Sequence, residues 1–458
     1  MLNYIWLGLV ILAVAIGGWM NKFKEVTDGA FDGAKTAVTI ALGLIGIMAL
    51  WLGVMRLAER CGLVQRMARG LRPVMRRLFP DVPPDHPAMG SMLMNIAANM
   101  LGLGNAATPL GLRAMRDLES LNRRPGVASN AMCTFLAINT SSVQLIPTTA
   151  IALLAAAGSR NPTIIVGTAI LATSCSTIVG ITSVKLFEKL RAFRLPEIEP
   201  EVDRSAMIGE REIAPAPGDG SESTADNAAL AGVQMAVPKP AWWGSALVML
   251  LSVFFVVLFV RMVWPPLFGL ALTPEAAGQN GFVRSVNAVS LLAIPFLLSF
   301  FPLYAAVRGV KVYEEFVEGA KEGFDVVLRI IPFLVTMLVA INMFKGAGGI
   351  DLLTRALTPL LTPLQFPPDL LPLSLMRPLS GGASLAIFTE MIQRLGADNI
   401  VTLMAATIFG STETTFYVVA VYFGAVGVKQ TRHAIPAGLL ADLAGIIASV
   451  VICRAVLG

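Results

Sequence analysis

One four-residue signature occurs twice, and it constrains this chain more than any other feature. Asp32-Gly33-Ala34-Lys35 follows one apolar segment and opens another, and Glu318-Gly319-Ala320-Lys321 does the same 286 residues later. Each copy runs on through a long apolar stretch and an amphipathic stretch ending in Phe-Pro (Phe79-Pro80, Phe366-Pro367). A Gly-rich apolar segment comes next, then a hydroxyl-rich patch inside a helix of membrane length: Asn139-Thr140-Ser141-Ser142 in one copy, Gly410-Ser411-Thr412-Glu413 in the other. Two copies of one membrane unit point to a pathway formed where they meet.

The chain is 55% hydrophobic and 14% charged, with a mean hydropathy of +0.71. Soluble domains carry about 25% charged residues. Apolar runs long enough to cross a hydrocarbon core recur at 2–20, 34–57, 130–157, 163–186, 242–263, 285–306, 324–344, 399–424 and 434–456. The expected class is an all-α polytopic membrane protein. The net charge of +5 is modest, and the basic residues flank apolar segments, so they read as topology signals rather than a nucleic-acid surface. Segment 2–20 lacks a basic leader and a small-residue cleavage site, which makes it a retained helix. The four cysteines are scattered singly and the only histidines are His86 and His433, so no resident metal or other cofactor is expected.

Residues 88–112 and 368–394 are apolar but broken by Gly, Pro and polar groups, and read as re-entrant hairpins. Between them and the preceding helices lie amphipathic stretches. Residues 56–87 carry seven arginines against Glu59, Asp81 and Asp85, with apolar positions at helical spacing, as in a helix lying on the membrane surface. Residues 196–241 are rich in Glu, Asp, Pro, Ala, Gly and Ser and read as a flexible linker. The expected organisation is a first membrane repeat (1–195), this linker, and a second repeat (242–458) led by an extra helix, 242–263.

That extra helix adds one crossing, so the second repeat should sit upside down. Charge agrees with this. The seven-arginine segment, Arg113 to Arg124, and Lys185 to Arg194 mark a cytoplasmic side, whereas 345–372 carries only Lys345 and Arg355. The expected setting is the cytoplasmic (inner) membrane, with the N-terminus and linker inside and the C-terminus outside.

The motifs resemble a family. Asn95-Ile-Ala-Ala-Asn99, Gly102-Leu-Gly104-Asn105-Ala-Ala-Thr108-Pro109 and Asn139-Thr140-Ser141-Ser142 with Gln144 and Pro147 resemble spore maturation protein A. Arg377-Pro378-Leu-Ser380-Gly381-Gly382-Ala-Ser384 and Gly410-Ser411-Thr412-Glu413-Thr414-Thr415 resemble spore maturation protein B. Both belong to the Gate, or nucleoside-recognition, domain family, whose more distant relatives include concentrative nucleoside transporters and the membrane part of ferrous iron transport protein B. The resemblance implies transport and names no cargo.

Glu413 is the first candidate for chemistry. An acid within an apolar helix is costly and marks a functional site, as a coupling proton or sodium site or as a partner for substrate charge; the bland alternative is a structural pair with a nearby arginine. Its counterparts Asn139, Thr140, Ser141, Ser142 and Gln144 are neutral, and Pro147 can break their helix. Asn95 and Asn99 share a helix face, with Asn105 and Thr108 near the first hairpin's tip and Ser380 and Ser384 near the second's. Ser411, Thr412 and Thr415 flank Glu413. Arg377 can fork to an anionic group, or pair with Glu413 or Glu390. Asp442 is a weaker candidate in the last helix, and Thr173 to Thr177 reads as helix packing.

The expected function is secondary transport of a small polar solute, nucleosides included, by alternating access, with the lipid bilayer as the other partner and a homo-oligomer left open. A membrane scaffold using the linker as a docking arm is the alternative. An enzyme is disfavoured by the lack of HExxH and of a Ser/His/Asp set.

Overall fold

The structure is a computed structural model that describes residues 2–102, 104–141, 144–193, 242–271, 278–349, 352, 355 and 365–458. The 196–240 linker, Ser142 and most of 350–364 lie outside the described residues. Everything regular among the described residues is helical. The first half holds α1 (Leu2–Trp19), α2 (Phe23–Arg60), α3 (Leu63–Leu78), α4 (Pro87–Met100), α5 (Gly104–Glu119), α6 (Asn130–Thr140), α7 (Thr148–Ala156) and α8 (Ile165–Lys189). The second holds α9 (Trp242–Val263), α10 (Gly281–Val307), α11 (Val312–Gly346), α12 (Leu371–Met376), α13 (Gly381–Leu395), α14 (Ile400–Ser411), α15 (Thr415–Gly424) and α16 (Ala434–Leu457).

Six of these (α2, α8, α9, α10, α11 and α16) are long and apolar enough to cross a bilayer. The chain is an all-α polytopic membrane protein. The unmatched helix α9 rests on α10, through the Phe255 and Phe296 rings 5.3 Å apart, and leaves Met249, Leu250, Phe254 and Val256 exposed. Apolar all round and barely covered by protein, it is suited to lipid rather than to water.

Several boundaries differ from expectation. The two signatures do not open their helices but lie well inside α2 and α11, which begin at Phe23 and Val312. The apolar runs 130–157 and 399–424 are not single helices. One helix ends at Thr140 and the next begins at Thr148, just after Pro147, which has no amide to donate; the other pair ends at Ser411 and resumes at Thr415, where hydroxyl-bearing residues offer the backbone alternative partners. The stretches 88–112 and 368–394 are helix–turn–helix pairs, α4–α5 and α12–α13, with α5 extending to Glu119. The amphipathic helix inside 56–87 is α3, which buries Val64, Ala68 and Met75 against the bundle.

The signature glycines explain the centre of the bundle. A Cβ on Gly33 would lie 2.6 Å from the Leu338 carbonyl oxygen, and one on Gly319 would lie 2.6 Å from that of Leu52. Only glycine lets the α2 and α11 backbones touch, as small residues do in membrane helix pairs. The pairing is antiparallel, since Gly346 meets Glu25 at one end while Arg56 binds Glu315 (2.8 Å) and Glu322 (2.6 Å) at the other. The same offset of 286 residues that relates the signatures relates these two glycine contacts to each other. Helices α8 and α16 also run antiparallel, Gly180 against Ala441 and Gly445 against Ser176. At the bundle's ends Val127 bridges Gln430 and Ser159 binds Asp398 (2.6 Å), a second pair of contacts exchanged by one offset, here 271.

The two ends differ in charge. Arg123, Arg124, Lys189 and Arg432 surround one polar hollow with Asp81 and Glu188. Arg432 ties this end together by donating to Ala128 and Phe193 carbonyls and to the Asn130 side chain (2.7 Å). The opposite end carries Lys345 and Arg394, both paired with Glu390.

Candidate functional site

The two broken helices cross where they break. The Glu413 amide donates to the Thr140 carbonyl (3.0 Å), and Gly410 packs on Pro147 so closely that a Cβ would sit 2.5 Å from the proline ring. The tip of the second hairpin docks on the same spot, with the Phe416 amide donating to the Pro378 carbonyl (3.0 Å). These contacts spend backbone groups freed by the breaks, as irregular backbone at membrane depth requires.

Arg377, at the end of α12, is buried here, 3% exposed. Its guanidinium donates to the Phe409 carbonyl (2.8 Å), to the Thr412 hydroxyl (3.2 Å) and to the Thr412 carbonyl. It lies 4.4 Å from the Phe409 ring centroid, a cation–π contact. Glu413 approaches it at 3.9 Å but remains 44% exposed. Glu390, the other partner considered for Arg377, is instead held by Arg394 (3.1 Å) and Lys345 (3.3 Å).

A cavity of about 390 Å³ opens beside this arginine. Gln144, Pro147 and Thr149 line it from the first half, Arg377, Gly381, Gly382, Phe409 and Glu413 from the second, and Ile330 of α11 forms part of the wall. Gly381 and Gly382 are the first residues of α13, which is capped by Ser380 accepting from the Ala383 amide (3.2 Å). First-turn amides have no intrahelical acceptor, so this wall attracts anionic groups alongside Arg377. The aromatic ring, a fixed cation, a reachable carboxylate and an amide side chain together suit a small polar molecule with an anionic or strongly polar group.

A second polar cluster lies across the crossing. Asn99 donates to the Asn139 side-chain oxygen (2.9 Å), and the Tyr422 hydroxyl reaches the same atom (3.5 Å). Asn95 donates to the Ala107 carbonyl (2.7 Å) and to the Tyr422 hydroxyl (3.3 Å). Asn95, Asn139 and Tyr422 are buried, and Tyr422 also stacks on Phe135.

The sequence candidates therefore separate. Arg377, Glu413 and Gln144 line the cavity, and Thr412 and Ser380 support it. Asn95, Asn99 and Asn139 form the second cluster, with Tyr422. Thr140 and Ser141 bond back to their own helix, and Ser141 also receives Thr173 and Thr177 from α8. Ser384 bonds to the Ser380 carbonyl (2.7 Å) and Ser411 faces Ser449 (3.2 Å), both away from the cavity. Thr415 donates to Asp442 (2.6 Å). Thr108 is half-buried in α5, whereas Ser142 and the Asn105 side chain lie outside the described residues. Tyr422 and Phe409 were not among the candidates, because an aromatic in an apolar run reads as core. No group of three or more His, Cys, Asp or Glu side chains able to hold a metal occurs among the described residues.

Comparison with known proteins agrees with this architecture. A family profile described as "Gate: Nucleoside recognition" matches residues 41–158 and 327–429, which contain α4–α7 and α12–α15, the elements that build both polar sites. The chain is 48% identical over 181 residues to spore maturation protein A of Bacillus subtilis, covering 92% of that protein and 40% of this chain. It is 43% identical over 173 residues to spore maturation protein B of the same organism, covering 97% of that protein and 38% of this chain. With nearly the whole length of both relatives present in one polypeptide, the chain belongs to the Gate family, as a protein similar to spore maturation proteins A and B joined end to end.

Proposed function

We propose that the protein is a secondary transporter for a small polar solute, with its site in the cavity beside Arg377. The observation that carries this is the cavity itself: a charged, aromatic-walled space between a hairpin tip and two broken helices. Half-helix ends pointing at a midplane site are how membrane proteins hold polar cargo without water. The two repeats sit in inverted orientation, supported by the antiparallel packing of α2 on α11 and of α8 on α16, and by the contacts that exchange under the repeat offsets. The α4–α5 and α12–α13 pairs are re-entrant, entering and leaving on one side. The basic end faces the cytoplasm, which puts the N-terminus and linker inside and the C-terminus outside.

The family description favours a nucleoside-like solute, and a volume of about 390 Å³ is within the 300–1,000 Å³ usual for small-molecule sites. Alternating access follows if the crossing rocks, so that the cavity closes on one side as the Asn95–Tyr422 cluster opens on the other. The test is an untargeted comparison of metabolites retained by proteoliposomes with and without the protein, then with Arg377→Ala and Glu413→Gln. Loss of one retained solute in Arg377→Ala is expected, and in Glu413→Gln too where that solute carries a positive group. Unchanged retention of that solute in both removes the cavity as its site.

A further inference from the structure

The sequence ranks Glu413 first, as a coupling-ion site or a partner for substrate charge, and Asp442 below it; burial divides the two intramembrane acids differently. Glu413 is half-exposed in the cavity and faces Arg377, so its charge has both solvent and a cation. Asp442, on α16, is 1% exposed. The Thr415 hydroxyl donates to its Oδ2 (2.6 Å), and its Oδ1 has no partner. Among the described residues it makes no ion pair, and the charged groups that act on it across the crossing are Arg377 and Glu413.

The packing around Asp442 is specific. Gly438, one turn before it, lies against Thr415 and the Thr140 hydroxyl, and a Cβ there would be 2.9 Å from the Thr415 methyl. Gly445, one turn after it, lies against Thr412 and Ser176. Helix α16 is thus pressed on both helix breaks through the glycines on either side of Asp442, and the Thr415 hydroxyl of α15 meets the carboxylate itself. A bare carboxylate with a single hydroxyl donor is strongly disfavoured at membrane depth, and a monovalent cation removes that cost.

We propose that Asp442 is the coupling site, where a monovalent cation, a proton or a sodium ion, neutralises the carboxylate. This rests on the transport reading and extends it. Thr415 is the first residue of α15, so loading Asp442 sets how α15 is held, and with it the break that carries Glu413 and contacts Arg377. Chemical coupling then runs through the break, while the solute occupies the cavity.

The test uses the full chain purified in detergent and needs no transported solute. Its thermal midpoint is measured with sodium chloride replaced by choline chloride at constant ionic strength, and infrared difference spectra are recorded on acidification. A sodium site predicts a midpoint raised by sodium in the wild type and insensitive to sodium in Asp442→Asn. A proton site predicts a carboxylic-acid carbonyl band that is lost in Asp442→Asn and kept in Glu413→Gln. A wild-type response of Asp442→Asn to both ions, or loss of the band in Glu413→Gln instead, overturns the assignment. If Asp442→Asn does not purify, Thr415→Val decides: it keeps the carboxyl and removes its donor, so a weakened sodium response or a displaced titration supports the site and wild-type behaviour refutes it. Cation responses that track Asp442 without any retained solute sink the transport reading alone.

Discussion

The two polar sites at the crossing are built from matching elements of the two halves and differ first in space: a cavity opens beside Arg377, whereas the Tyr422 hydroxyl sits between Asn95 and Asn139. In the site of the second half, the hairpin tip and the break, with the start of α7 from the first half, enclose the cavity beside Arg377. In the first, α4 and α5, the end of α6 and helix α15 converge on Asn95, Asn99 and Asn139, and the Tyr422 hydroxyl occupies the centre. At the repeat offset of 271 the residue corresponding to Tyr422 is Ile151, which has no group to offer the cavity. Chemistry differs too: charged groups line the cavity, and neutral ones surround the Tyr422 hydroxyl.

The comparison breaks most visibly if Tyr422 is not a plug. Tyr422→Ala removes a buried aromatic side chain and is expected to cost about 3–5 kcal/mol of stability in detergent unfolding. It should also open the first site. In a background with the exposed Cys175 changed to Ser, an added Asn95→Cys should resist maleimide labelling and become reactive once Tyr422→Ala is present. Equal labelling with and without Tyr422 means the first site is ordinary core.

Arg377→Lys is the next largest. A lysine cannot donate to the Phe409 carbonyl, the Thr412 carbonyl and the Thr412 hydroxyl together, so buried acceptors lose partners at about 1–3 kcal/mol each. Thermal unfolding should fall by that order, and retention of the solute by more than about tenfold, a difference of 1.4 kcal/mol in binding. A variant that binds solute normally would leave Arg377 with a purely structural task.

Much of this was legible in the chain, for identifiable reasons. Membrane helices announce themselves by apolar length, and the two signatures mark the glycines where α2 and α11 touch. Asn95 and Asn99, four apart, do enter one cluster, Asn95 bonding Tyr422 and Asn99 bonding Asn139. The sequence could not say that 130–157 holds two helices, one ending at Thr140 and one starting at Thr148, since Pro147 permits a break without requiring one. Nor could it place Tyr422, whose hydroxyl matters only because hairpin and helix meet there in space. The roles of Glu413 and Asp442 were ranked by local composition, but burial separates them, and burial is set by residues far away in sequence.

Tyr422→Phe sharpens the comparison more gently. It keeps the ring on Phe135 and deletes the hydroxyl shared by Asn95 and Asn139, at a cost of about 1 kcal/mol. Packing alone should then still exclude label from Asn95→Cys. If Tyr422→Phe labels as strongly as Tyr422→Ala, the seal is the hydrogen-bond network rather than the ring.

Glu413→Gln is expected to be the mildest for the fold and the most informative about the cavity. Glu413 keeps much of its surface in the cavity, and its approach to Arg377 at 3.9 Å is longer than a hydrogen bond. Partly exposed pairs of this kind contribute about 0–1 kcal/mol, so thermal unfolding should stay close to wild type. Solute retention is where the change should appear, because the amide preserves size and removes the charge opposite the guanidinium. A solute carrying a positive group should be lost, whereas a neutral or purely anionic one should be retained as before or better. Ranking the retained metabolites of Glu413→Gln against the wild type therefore reads out the sign of the charge the cavity selects. If Glu413→Gln instead unfolds as readily as Arg377→Lys, the carboxylate is holding the arginine in place, and the charge in the open site belongs to the scaffold.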